Sequence, residues 1–181
     1  MHSGMVHYIG GVSNHPWYMV KRMIEVSERS GYERPVSAQE AYNIVTRYVE
    51  RRLVPLMRSR RMTMIAYVPL AQGGILTGKY LKDSGGLSRA EYTPEMREEV
   101  ERHRRAASVV SETASDLGIT PAQLSLAWIL SMQRRLGISI VPLIGVSREE
   151  QLLEDVEAID VSLPEWAVSR LCGLYGPDDT L

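Results

Sequence analysis

The chain has 181 residues, a net charge of −1 and 44% hydrophobic residues, enough for one domain with a real core and too evenly charged for nucleic acid to be its main partner. Its single cysteine, Cys172, excludes an internal disulfide and any cysteine-based metal cluster. No apolar run approaches the ~20 residues that span a bilayer and no signal-peptide pattern opens the chain, so a reducing cytoplasm without membrane contact is expected.

"MVHYIGGV" (Met5 to Val12) is short, apolar and partly β-branched, which predicts a buried strand. Ser13 or Asn14 then caps a helix with Pro16 in its first turn. Trp17, Val20, Met23, Ile24 and Ser27 share one face of that helix, and Gly31 ends it. "PVSAQ" (Pro35 to Gln39) is a second strand, and helical periodicity returns at Val49, Leu53, Leu56 and Met57. "MTMIAYV" (Met62 to Val68) is a third strand.

From Pro69 to Pro94 runs a long loop with five glycines, a length that usually marks a functional or mobile segment. A long helix follows from about Met96 and closes at Gly118. Thr120 and Gln123 form a capping box with Pro121 in the first turn of the next helix. "SIVPLIG" (Ser139 to Gly145) is the fourth strand, with a short helix from Glu149 to Ala158 after it. Ser162 and Glu165 read as a second capping box, opening a last helix through Leu174.

Buried strands alternating with amphipathic helices imply a parallel α/β sheet. Four such units fit either a small doubly wound sheet or part of a (β/α)₈ barrel, and periodicity leaves both open. The chain contains no linker, low-complexity tract or clear repeat, so residues 1–181 read as one domain. Arg102 to Arg105 contain a basic cluster, but Glu98, Glu99, Glu101 and Glu112 surround it, which predicts a solvated helix face.

"AQGGILTGKY" (Ala71 to Tyr80) follows the third strand directly. Gly73, Gly78 and Lys79 fit the Walker A spacing, but Tyr80 stands where a Mg²⁺-holding Ser or Thr is needed. No helix pattern begins at Lys79, so the helix N-terminus that a P-loop uses is missing. What remains is either a flexible connection or a loop offering backbone N–H groups and Lys79 to an anion.

The strand ends, taken in order, decide between these. "GVSN", "SAQEAYN", "IAYVPLAQGGILTGKY" and "PLIGVSREEQLLED", with "ITPAQLSLAWIL" between the last two, resemble the aldo-keto reductase family from its fifth to its eighth strand. The resemblance covers nearly all of the chain. The strand-seven segment is most similar to the branch with bacterial general stress reductases and potassium-channel beta subunits. It implies the C-terminal half of a TIM (β/α)₈ barrel, with NADPH or NADP extended across the rim formed by the strands' C-terminal ends.

By that resemblance, Ser13 and Asn14 contact the nicotinamide carboxamide, with Gln39 beside them, amides and hydroxyls suiting a group that both donates and accepts. Read without it, Ser13 and Asn14 are a helix cap and Gln39 an ordinary buried amide. Tyr67 matches the aromatic stacked on the nicotinamide; alone it reads as a core tyrosine. Val68, Pro69, Leu70, Ala71 and Gln72 match the segment along the pyrophosphate, and Lys79 a cationic contact. Gly145 and Ser147 match phosphate contacts, and Arg148 is placed for the 2′-phosphate. Gln151, Glu154 and Asp155 match the adenosine side, though an exposed acidic helix face would also explain Glu154.

The sequence departs from the family pattern in four places: an extra glycine in "YIGGVSN", Val68 for a usual Ser, Asp155 for a usual Asn, and His15 for a frequent aromatic. The family's catalytic Asp, Tyr, Lys and His come from the first four strands, so no catalytic role passes to any residue here, and no metal is implied. The expectation is an NADP-dependent carbonyl or aldehyde oxidoreductase by descent, truncated and inactive alone, from a shortened, split or mis-started gene. The alternative is a non-catalytic nicotinamide-binding or regulatory half-barrel. Half a barrel implies two open edges and an apolar inner face, hence a second copy or a complementary N-terminal half as partner.

Overall fold

Four strands pair in chain order, each parallel to the next: β1 (Val12–Ser13), β2 (Ser37–Ala41), β3 (Thr63–Tyr67) and β4 (Ile140–Pro142). The computed structural model describes residues 4–10, 12–81 and 93–178. Helices fill the connections: α1 (Trp17–Ser30), α2 (Val49–Ser59), α3 (Pro94–Leu117), α4 (Pro121–Leu136), α5 (Glu149–Glu157) and α6 (Glu165–Cys172). The expected parallel (β/α) arc is therefore present.

The period of two along each strand sorts the side chains. Val12, Ala38, Met64 and Ile140 stand in one cross-strand row and are buried. They join a single core with Val20 and Ile24 of α1, Leu53 and Met57 of α2, Val110 of α3, and Leu124 and Trp128 of α4. The row on the opposite face is Ser13, Gln39, Ile65 and Val141, partly or largely exposed. This inner face was expected to be apolar. It is mixed, because Ser13, Ser37, Gln39 and Thr63 alternate onto it beside Ile65 and Val141.

Caps end the helices largely where local chemistry demands. Gly31, Gly118 and Gly137 take left-handed φ values of 68°, 68° and 67° after α1, α3 and α4. Thr120 and Gln123 close a full capping box, each side chain bonding the other's backbone N–H at 3.1 and 3.0 Å. Two expected caps are corrected. The α1 cap is Pro16, without a side-chain bond, because Asn14 sits in a left-handed turn with its amide engaged elsewhere. The α6 cap is Pro164, because the Glu165 carboxylate is taken by Arg135 and Ser169.

The first strand is also shorter than its apolar run suggests. Met5, Val6, Tyr8 and Ile9 are exposed, and one backbone bond, from Val36 N–H to the Ile9 carbonyl (2.8 Å), reaches this segment from the β2 side. Apolar residues make a buried strand only where a layer exists to cover them. Gly4 has a left-handed φ of 75°, while residues 1–3 and Gly11 lie outside the described residues. So do Gly85 and Gly86 of the long loop.

A buried polar cluster ties the C-terminal segment to the sheet. The Arg47 guanidinium forms a bidentate pair with Glu50 (2.7 and 2.8 Å), lies 5.5 Å from the centre of the Trp128 ring, and donates to the carbonyls of Cys172 and Tyr175. Tyr42 stacks on Trp128 at 5.7 Å and donates to Glu50 at 2.8 Å. Burial would lower the Arg47 pKa, but its bonds to Glu50 more than offset that and hold the group charged.

Candidate functional site

All four strands point their C-terminal ends to one side, so the segments after β1, β2, β3 and β4 meet there. The β3 exit is strained. Val68 (φ 48°) and Ala71 (φ 60°) are left-handed without being glycine, and Gly73 and Gly74 (φ 64° and 72°) kink the 3₁₀ segment Gln72–Thr77 that follows. Such backbone persists only where its surroundings impose it. Here Asn43 Nδ2 donates to the Val68 carbonyl (2.9 Å), Tyr80 to the Gly73 carbonyl (3.2 Å), and Thr77 to the Gly74 carbonyl (2.8 Å). Part of the loop expected to be irregular is thus a built turn. No helix begins at Lys79, in keeping with the rejection of a P-loop.

A cavity of about 910 Å³ opens between this turn and the end of β4, within the size range of small-molecule sites. Of the residues proposed to hold cofactor, it gathers Tyr67, Val68, Pro69, Leu70, Ala71, Lys79, Gly145, Ser147, Gln151 and Asp155. Lys79 lies with its ammonium 4.9 Å from the Tyr80 ring centre. Gln151 reaches back from α5 to accept from both the backbone N–H and the hydroxyl of Ser147, at 3.1 Å each. Arg148 is the cap residue of α5, exposed and one position from Ser147. The cavity thus has one cationic side chain, Lys79, with Ser147 and Gln151 from the start of α5, while Arg148 lies beside it and not on its wall.

Ser13, Asn14, Gln39, Gln72, Arg148 and Glu154 are not on the wall of this cavity. Ser13 and Gln39 are cross-strand partners on the inner face. Asn14 accepts from the Tyr67 hydroxyl at 2.9 Å, which brings the end of β1 to the cavity wall. Gln72 lines a second cavity of about 460 Å³, with Tyr67, Asn43, Glu99 and His103. Glu154 is half-buried on α5. Asp155, the departure that would place an anion near adenine, has its pKa raised by burial and then by Glu154, so it holds its proton more readily than an ordinary aspartate.

Three buried polar residues on or near these strand exits were not singled out in the sequence. Asn43 is 1% exposed, and its Oδ1 accepts from the Val45 N–H (2.9 Å) while its amide holds Val68. Glu40 is 1% exposed on the helix-facing side of β2. The signal for it was present: a carboxylate at a core-facing position of the alternating run Ala38, Glu40, Tyr42. His103 is buried on α3 against Tyr175 (3.1 Å) and Glu99 (3.3 Å), and burial lowers its pKa. The neighbouring Arg102 and Arg104 pair with Glu99 and Glu101, so the basic cluster is the solvated ion-pair face expected of it.

Among the described residues, no group of three His, Cys, Asp or Glu side chains is placed to hold a metal ion. No helix among them is long and apolar enough to cross a membrane.

A parallel (β/α) sheet with a ligand-sized cavity at the strands' C-terminal ends is the arrangement of part of a (β/α) barrel. Within that class, the chain belongs to the aldo/keto reductase family, whose model matches residues 1–175. It is 31% identical over 176 residues to the "uncharacterized oxidoreductase YrpG" of Bacillus subtilis (strain 168), covering 97% of this chain and 51% of that protein. It is 32% identical over 168 residues to the L-glyceraldehyde 3-phosphate reductase of Escherichia coli (strain K12), covering 87% and 46%. Among solved structures, the thermostable aldo-keto reductase Tm1743, in complex with the inhibitor epalrestat, matches with a TM-score of 0.64 and 26% identity, over 96% of this chain and 50% of that one. The chain spans about half the length of the relatives it matches.

Proposed function

We infer that this chain is the cofactor-holding part of an NADP-dependent carbonyl or aldehyde reductase, binding NADP(H) and performing no reduction by itself. The observation that carries the reading is the cavity between Tyr67–Ala71 and Gly145–Asp155, where strained backbone, Lys79 and the start of α5 converge. NADPH, when bound, supplies the hydride. The work of this chain is to hold it: Tyr67 covers the nicotinamide ring, Ser13, Asn14 and Gln39 hold the carboxamide, and Val68 to Gln72 follow the pyrophosphate. Gly145 and Ser147 contact phosphate, and Arg148 takes the 2′-phosphate, where a guanidinium fork matches phosphate oxygens. Gln151, Glu154 and Asp155 flank the adenosine. None of these residues is a proton donor for the substrate carbonyl, so turnover waits on residues from elsewhere.

An NADPH fluorescence titration of the purified chain tests this, with NADH in parallel. Saturable binding without consumption of cofactor in the presence of aldehydes is the expected result. An unchanged emission up to millimolar NADPH overturns it.

A specific observation also favours a partner that closes the sheet. Val141 of β4 and Leu143 just after it, Leu153 and Val156 of α5 and Ile159 just after it, and Met5, Tyr8 and Ile9 ahead of β1 are exposed. β1 and β4 are the outer strands of the described sheet, and either a complementary half or a second copy set against them would bury apolar surface of this kind. Mass measurement in solution with and without an added N-terminal half separates the two. We place the protein in the cytoplasm, in keeping with one free cysteine, Cys172.

A further inference from the structure

We propose that two copies of this chain close on each other about a two-fold axis, the α5 edge of each seated against the α1 edge of the other. The inference rests on the reading above that a partner closes the sheet, and it names that partner and the surfaces that hold it.

The outer strands are β1 and β4, with α1 following the one and α5 the other. Each of these helices is tied to its inner neighbour. Glu28 of α1 pairs with Arg60, just after α2, at 2.7 Å, and Glu157 of α5 accepts from Gln123 of α4 at 2.8 Å. With about 100° of rotation per residue, those two contacts fix which way the rest of each helix points. Met19, Met23 and Val26 lie on the side of α1 turned away from α2. Leu152 and Val156 of α5, with Ile159 in the short turn Ala158–Asp160 that continues it, lie on the side turned away from α4. Both sets have the spacing i, i+4, i+7, which makes a stripe two turns long. Met23 is half-buried and the other five are exposed.

The charges beside the two stripes are opposite in sign. Arg22 and Arg29 flank the stripe of α1, whose carboxylates are already taken, Glu25 by Lys21 and Glu28 by Arg60. Arg29 gives one bond to the Glu25 carbonyl at 3.3 Å. Glu149 and Asp160 flank the stripe of α5, and both are exposed. Among the described residues no ion pair includes Arg22, Arg29, Glu149 or Asp160.

A partner for the α5 edge therefore carries an apolar stripe beside cations, and a partner for the α1 edge an apolar stripe beside carboxylates. The chain itself supplies both. Contacts between unlike surfaces run on into filaments unless the rotation that repeats them closes. Here a half-turn closes it, because four strands are half of the eight in a (β/α)₈ barrel, and the same half-turn makes the contact twice. The second copy's β1 then lies beside β4 and parallel to it, the sense in which all the described strands pair.

Mass in solution, measured on the whole chain without cofactor over a concentration series, tests the proposal independently of NADPH binding. The native chain should give twice the chain mass, and the dimer should loosen as salt rises. Glu149→Lys with Asp160→Lys sets cations against Arg22 and Arg29 and should weaken the dimer by about a hundredfold; Arg22→Glu with Arg29→Glu should do the same by setting carboxylates against carboxylates. Mixed in equal amounts, the two double variants should recover the dimer, since each then meets its opposite at both contacts. A variant that had merely misfolded would give no such recovery. Ile159→Ser, which removes part of a stripe and no charge, should weaken the native dimer by about tenfold. A native chain that stays monomeric at every concentration overturns the inference, and so does a mixture no better associated than its two components. A ladder of masses beyond two copies overturns the closed half-turn. A monomer that takes up an added N-terminal half keeps the need for a partner and overturns the choice of a second copy.

Discussion

Asn43 holds Val68: its amide nitrogen donates to the Val68 carbonyl across 2.9 Å and 25 positions of sequence, while its oxygen accepts from Val45 N–H. Val68 is in a left-handed conformation that a β-branched residue rarely adopts, and it opens the proposed pyrophosphate segment. Asn43→Ala strips both partners in a buried place. It should cost on the order of 1–3 kcal/mol of stability, read from the urea midpoint. Because the Val68 turn loses its anchor, NADPH binding should weaken at temperatures where the variant remains folded. Unchanged affinity would mean the turn holds itself.

Arg148 caps α5 beside Ser147 and is exposed. If it takes the 2′-phosphate, Arg148→Ala should weaken NADPH by about tenfold and leave NADH nearly unchanged. The NADPH loss should shrink as salt rises, since an exposed guanidinium–phosphate contact is screened. Equal losses for both cofactors would point to a folding defect around α5.

The Arg47–Glu50 pair is buried on both sides, each side chain 8% exposed. Arg47→Met leaves Glu50 charged and short of partners, a loss of roughly 3–5 kcal/mol. Replacing both, Arg47→Met with Glu50→Gln, should recover a large part of that in denaturant unfolding. The backbone carbonyls of Cys172 and Tyr175 also lose their donor, so full recovery is not expected.

The Glu40 carboxyl shifts from 4.5 to about 7 on folding. Its protonated form is the one the folded chain prefers. Below about 4.5 both states hold the proton, and the contribution to stability is complete. As pH rises from about 4.5 to 7 the unfolded chain ionises first, so stability falls, by up to about 3 kcal/mol from this group. Unfolding free energies at pH 5 and 8 should therefore differ less in Glu40→Gln than in the native chain, with the variant the more stable at pH 8.

What was legible in the sequence was what local chemistry determines. Gly31, Gly118 and the Thr120–Gln123 box each act within a turn of themselves, and their residue types admit few other uses. Gly73, Gly74 and Gly78 announced unusual backbone, and all three have positive φ. Val68 and Ala71 did not, because their left-handed state is imposed by partners such as Asn43 rather than permitted by their own side chains. The apolar run before Val12 failed as a strand signal for the same reason in reverse: burial needs a neighbour that the run itself does not contain. Of the proposed contacts, those on the β3 and β4 exits meet at one cavity, whereas Ser13 and Gln39 lie on the inner face and Gln72 turns to another cavity. Which of several polar residues reaches a cavity depends on the twist and depth of the sheet, quantities that residue spacing does not encode.

The outer strands of the described sheet are its shortest, two residues in β1 and three in β4, against five in β2 and in β3. Pro142, the last residue of β4, has no N–H to give. An exposed edge recruits foreign strands in proportion to the unpaired ladder it displays. These edges display little, so the long, well-paired segments that would template fibrils lie in the middle of the sheet and not at its borders.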